Sequence, residues 1–237
     1  MNDEKMPFLK HLEKFRKAIL YSLALIILTS CLCYPFAKKI TALVIDQLPQ
    51  VVFITPFEVL IVYLKVAFFC GCVTASPIIF LIFWRFITPG LSRRERGYLG
   101  ITFPLAFLLF LGGFYFAYFV LVPVSRRFLL SFATERIVPM ISINRYVSFV
   151  GALCIFCGLF FQMPLASALL TKMKILTTAR LISQWRHILI GIIILAAVVT
   201  PTTDIFNQIL LAGPMLVLYG ISIMATYFIE KICCHAS

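Results

Sequence analysis

The chain is short of acids, with nine Asp and Glu against 21 Lys and Arg, and holds only three His and two Trp. No HExxH, GxSxG or phosphate-loop motif occurs, which removes the usual zinc-hydrolase, serine-hydrolase and nucleotide-binding chemistries. His11, His187 and His235 are too scattered to suggest a metal site. An intramembrane enzyme is therefore poorly supported: the sequence offers no catalytic set, no metal site and no cofactor motif. The net charge of +12 could suggest nucleic acid, yet no basic run exceeds three residues and the charges lie between apolar segments. They read as topology signals, and no nucleic-acid partner is expected. Low-complexity segments and convincing internal repeats are also missing, which weakens a transporter built on inverted repeats.

What is abundant is apolar surface. At 62% hydrophobic residues and a mean hydropathy of +1.04 over 237 residues, the chain cannot hide its side chains in one soluble core, whereas a bilayer solvates them directly. The apolar runs are continuous rather than alternating, so helices are the expected spanning form, each pairing its own backbone groups in lipid. Eight cysteines resemble a disulfide framework at first, but Cys31, Cys33, Cys70, Cys72, Cys154 and Cys157 fall inside apolar runs. There they read as small hydrophobes. Cys233 and Cys234 lie in a short tail, as a lipid anchor, a reactive pair or a bland terminus.

Six spans are predicted, at 19–36, 59–83, 98–122, 147–171, 187–199 and 205–229, within one membrane domain over 1–237. The fifth, at 13 residues, reaches only about 20 Å against a hydrocarbon core of roughly 30 Å. It either ends below the outer surface or sits where the bilayer thins. The first span follows Lys5, Lys10, Lys14, Arg16 and Lys17 without a small-x-small cleavage site, so a retained anchor is expected. A cytoplasmic N-terminus places those five inside, together with Arg85, Arg93, Arg94, Arg96, Lys172, Lys174, Arg180, Arg186 and Lys231. Only Lys38, Lys39, Arg126, Arg127, Arg136 and Arg145 then lie outside, and that bias predicts that both termini are cytoplasmic. The outer segment from Pro123 to Tyr146 should start an interfacial helix at Pro123, and the first outer loop should help form a cap. Pro77, Pro104, Pro164 and Pro214 interrupt four spans, so the expected fold is an all-α, cupped bundle with kinked helices.

Several polar residues stand out. Lys65 lies about two turns into the second span, where an ionisable group is a functional candidate; alternatively it snorkels outward near Glu58, seven residues earlier on the same helical face. Gln162 is the strongly polar group deep in the fourth span, either an interhelical hydrogen bond or a contact for a partner's polar group. Glu95 is an acid among Arg93, Arg94 and Arg96, and Glu13 precedes the first span. Local charge pairing accounts for both as well as a site would. In the segment between the fifth and sixth spans, Pro201 ends a helix, Thr202 and Thr203 turn, and Asp204 caps the next helix. Gln208 then falls four positions on, on nearly the same face as Asp204.

These residues resemble a known family, the TatC subunit of the twin-arginine protein translocase, from about His11 to Tyr227. The resemblance is sharpest in PFEVLIVYLKVAFF (Pro56–Phe69), FWRFITPGLSRRERG (Phe83–Gly97), FYFAYFVLVPV (Phe114–Val124) and TPTTDIFNQILLAGPMLVLYG (Thr200–Gly220). It implies an inner-membrane receptor that binds twin-arginine signal peptides at the cytoplasmic face. With single-span partner subunits of the TatA/TatB type, and by self-association, such a receptor exports folded proteins using the proton-motive force. It also implies that Glu95 contacts the signal, with Phe86, Pro89, Gly90 and Leu91 in the same motif; a guanidinium pairs bidentately with a carboxylate. The family's amino-terminal pattern resembles HLxELR, but its glutamate position is Lys14 here, which leaves Glu13 as the second candidate acid, rotated by about 100° on a helix. Many members carry Glu where this chain has Gln162, and again where it has Gly220. The resemblance favours Gln208 as the contact for a partner helix, the alternative being a hydrogen bond inside the bundle. The rival from another class is a small-solute secondary transporter with Lys65, Gln162 and Asp204 as its site.

Overall fold

The computed structural model describes residues 8–46, 48, 51–52, 55–87, 99–131, 140–173, 175–199 and 205–235. In chain order these form α1 (Phe8–Cys33), a 3-10 turn (Tyr34–Phe36), α2 (Ala37–Ile45), β1 (Val51–Val52), α3 (Pro56–Ile87) and α4 (Leu99–Phe116). A π-helical segment (Ala117–Leu121) leads into α5 (Val122–Leu130), followed by β2 (Ile141–Ser142), α6 (Ile143–Phe160), α7 (Met163–Lys172), α8 (Thr178–Ser183), α9 (Trp185–Val199) and α10 (Ile205–His235). Among the described residues five stretches are long and apolar enough to cross a bilayer: Leu12–Ile45, Pro56–Phe83, Thr102–Leu130, Ile143–Lys172 and Ile205–Lys231. The shorter apolar helix, α9, has 15 residues, about 22 Å of rise.

The helices extend beyond the apolar runs that betray them. α1 begins eleven residues before Ile19, because Lys10, Lys14, Arg16 and Lys17 are good helix formers whose charges need water, not a helix end. It stops at Cys33 because Pro35 enters the next turn. Beyond Val122 the third span does not end; it continues as α5, with Pro123 in the first turn. Pro123 has no N–H to give, and just before it the Val122 N–H reaches back five residues to Ala117 O, the widened turn of a π segment. The fourth span is two helices, since Pro164 opens α7 after a turn at Phe161–Gln162. The β1–β2 pair, parallel with Val51 opposite Ile141 and Val52 opposite Ser142, has no signature in the apolar pattern.

This pairing sets the frame. It places the N-termini of α3 and α6 side by side at one end of the bundle, hereafter the cap end, and the two helices pack along each other. α1 and α2 run antiparallel to α3: Ala37 of α2 packs with Val62 and Val66, while Thr29 Oγ1 of α1 donates to Gly71 O at 3.0 Å. A Cβ on Gly71 would lie 2.7 Å from Ser30 N and 2.8 Å from Ser30 Cα, so only glycine admits this approach of the two backbones. The main core joins the π segment, α6, α9 and α10 through Ala117, Leu121, Leu153, Cys154, Ile192, Ala196, Leu211 and Met215. Most other large apolar side chains face outward, as lipid solvation requires.

Candidate functional site

The cap end is held by a polar cluster. Glu58, in the first turn of α3, is buried and accepts from Ser142 Oγ at 2.6 Å and from Asn144 N at 3.3 Å. Its carboxyl thereby sits at two helix N-termini at once, where the dipoles favour a negative charge. Ser142 also caps α6. Two turns along α3, Lys65 donates from Nζ to Asn144 Oδ1 at 2.6 Å and to Ser148 Oγ at 2.7 Å. Lys65 is thus bound to α6, with Asn144 bridging it to Glu58. The seven-residue spacing of Glu58 and Lys65 was visible in the sequence; Ser142, Asn144 and Ser148 carried no comparable signal.

Gln162 sits at the α6–α7 turn and donates from Nε2 to Ala106 O on α4 at 2.9 Å. Fourteen residues separate it from Ser148, about 21 Å of helix. Lys65 and Gln162 therefore do not share a site, so the three residues of the transporter reading do not come together. Gln208 donates from Nε2 to Ile193 O on α9 at 3.1 Å, a bond that ties the short helix to α10 near the cap end. Asp204 lies outside the described residues, as do Pro201, Thr202 and Thr203.

At the opposite end, Glu13 forms an ion pair with Lys17 at 2.8 Å, both side chains more than half exposed. Sixteen residues separate Glu13 from Thr29, and sixteen separate Gly71 from Ile87. The antiparallel packing of α1 on α3 therefore puts Glu13 level with the last residue of α3. The segment 88–98, containing Pro89, Gly90, Leu91 and Glu95, lies outside the described residues; Phe86 is within α3, with its side chain not described. Its two attachment points, Ile87 and Leu99, are at this end. So is Glu230, which accepts from Thr178 N at 2.9 Å and from Thr178 Oγ1, docking α8 onto α10. Tyr219 donates its hydroxyl to Leu181 O at 2.6 Å on the same seam. Among the described residues no group of His, Cys, Asp and Glu is arranged to hold a metal ion.

The likeness to known proteins covers nearly the whole chain. The family model for the Sec-independent protein translocase protein (TatC) matches residues 10–214. A Sec-independent protein translocase protein TatC from Carboxydothermus hydrogenoformans is 34% identical over 97% of this chain and 96% of its own length. The chloroplastic TATC of Pisum sativum is 34% identical over 92% of this chain and 63% of its own length. The TatC of Aquifex aeolicus is 32% identical, over 92% and 93% respectively. Among solved structures, a crystal structure of a twin-arginine translocase receptor, TatC, superposes with a TM-score of 0.86 at 29% identity, covering 93% of this chain and 99% of that one.

Proposed function

We propose that this chain, which belongs to the TatC family of Sec-independent protein translocase proteins, is the subunit that receives twin-arginine signal peptides at the cytoplasmic face. It is a multi-pass membrane component of that translocase. In this reading the end bearing Glu13, Ile87 and Leu99 is cytoplasmic, the cap end faces outward, and both termini lie inside. The observation that carries it is the level placement of Glu13 with the end of α3, the point from which the segment holding Glu95 departs. Two arginines on one peptide call for two acids presented where water meets lipid.

Glu95 and Glu13 take the two guanidinium groups, with Phe86, Pro89, Gly90 and Leu91 shaping the loop. Lys17, paired with Glu13, is the internal cation that an arginine of the signal would displace. Single-span partners dock near Gln208 and export of the folded cargo is driven by the proton-motive force, without covalent chemistry by this subunit. Gln162, joined to Ala106 O, and Lys65, joined to α6, hold helices in this scheme.

Photo-crosslinking of a twin-arginine signal peptide to the purified protein in nanodiscs tests the reading. Adducts at Glu95 and in the first two turns of α1 are expected, and a peptide with both arginines changed to lysine should give few. Equal labelling by both peptides would overturn it.

A further inference from the structure

A cavity of about 680 Å³ opens into the membrane side of the bundle beneath the cap, and nothing in the signal-binding reading uses it. Its floor is Val66, Cys70 and Val73 of α3 with Val150, Gly151 and Cys154 of α6. Its walls are α1 at Leu32 and Cys33, α4 at Tyr115 and the π segment at Phe119, and its roof is α2. The rim is well exposed: Leu32, Phe36, Leu43, Tyr115 and Phe119 all face outward, and the Tyr115 and Phe119 rings stack at 5.5 Å. A void this apolar in a membrane protein is filled by something apolar.

Two observations select the occupant. The first is size. At roughly 30 Å³ per water-sized group, the volume holds on the order of twenty methylenes, one acyl chain with little to spare. A helix about 10 Å across would fit for fewer than two turns before meeting the α2 roof. The second is charge. Phe36 and Leu43 line the cavity, and Lys39 lies between them at spacings of three and four residues, hence on the same face of the chain at the rim. Lys38 is its neighbour, and both lysines are exposed. Ile40 and Val44 also line the cavity, and the buried Ala37 and Thr41 lie beside them, on the side of α2 away from Lys39.

We infer that this cavity is a binding site for an anionic phospholipid of the cap-side leaflet: one acyl chain fills it, and Lys38 and Lys39 hold the phosphate. α2 then acts as a hook, apolar underneath and basic at its edge. The site is separate from the attachment points of the segment that would read a signal peptide, Ile87 and Leu99, which are at the opposite end of the bundle.

The test uses the full chain in nanodiscs that contain phosphatidylcholine and a trace of phosphatidylglycerol bearing a diazirine near the end of one chain. Photolabel should concentrate on Cys70–Val73 and Val150–Cys154, several-fold above lipid-facing positions of α9 such as Ile194 and Val198. Unlabelled phosphatidylglycerol should compete better than phosphatidylcholine, by about fivefold for each lysine engaged. Lys38→Gln with Lys39→Gln, both on exposed positions, should abolish that preference while the protein stays monodisperse, and Val73→Trp should reduce the labelling itself. Label spread evenly over the lipid-facing surface would overturn the proposal. So would competition that ignores the headgroup, or displacement of the label by a signal peptide or a partner helix alone, which would assign the cavity to a polypeptide.

Discussion

Lys65 Nζ lies 2.6 Å from Asn144 Oδ1, a bond between residues 79 positions apart that fastens α3 to α6 inside the apolar region. The same asparagine gives its backbone N–H to Glu58, so an acid and a base on one helix are joined through a single neutral residue on another. Lys65→Met and Asn144→Ala should each lower stability by about 1–3 kcal/mol, because each leaves a charged or polar group without its partner. The double variant should lose less than the sum, by roughly 0.5–1.5 kcal/mol. Unfolding in mixed micelles measures the cycle, and strict additivity would show that the bond contributes nothing.

The contact of Gly71 with α1 makes a steric prediction. Gly71→Ala forces a Cβ against the backbone of Ser30 and should cost about 1–3 kcal/mol. Gly112→Ala, where nothing lies within 4 Å, should be neutral within about 0.5 kcal/mol. Comparing thermal unfolding of the two variants by fluorescence-detected size exclusion checks the difference. Equal behaviour would mean that α1 and α3 are not held so close.

For signal recognition, Glu95→Ala should weaken crosslinking to a twin-arginine peptide by roughly tenfold to a hundredfold, the loss of about 1.5–3 kcal/mol for one charged partner. Membrane insertion should be unaffected. Undiminished crosslinking in this variant would remove Glu95 from the site and leave Glu13 to be tested in the same way.

Partner docking is read at Gln208. Gln208→Leu should reduce co-purification of single-span partners by roughly threefold to tenfold, while peptide crosslinking at the opposite end persists. If partner recovery is unchanged and the protein remains folded, the amide serves the bundle alone, through its bond to Ile193 O.

Orientation is checked with thiols. The bias of Lys and Arg toward the Glu13 end predicts that a membrane-impermeant maleimide misses Cys233 in intact cells and labels it after permeabilisation. Labelling before permeabilisation would invert the topology.

The amino-acid sequence by itself determined that this chain lives in lipid and how often it turns. Long continuous apolar runs, from Val59–Phe83 to Ile205–Ile229, have no other solvent, and the apolar pattern also marked the helix before Pro201 as the short one. One break was legible too, because proline acts on its own backbone: Pro164 parts α6 from α7, whereas Pro77, Pro104 and Pro214 lie inside continuous helices. The motifs around Glu95 and Gln208 were visible for the same reason, being contiguous. What only the tertiary structure decided are relations across the bundle. That Lys65 answers to Asn144 and Ser148 rather than to Gln162 depends on how α3 packs on α6, and that packing follows the β1–β2 register, which two strands of two residues cannot announce. That Glu13 stands level with Ile87 depends on where α1 crosses α3, and the crossing is set by one glycine with no side chain to keep the helices apart. The cavity beneath α2 belongs to no segment at all. Helices α1, α2, α3, α4 and α6, with the 3-10 turn and the π segment, leave it between them, and apolar periodicity cannot tell a side chain that faces lipid from one that faces a void.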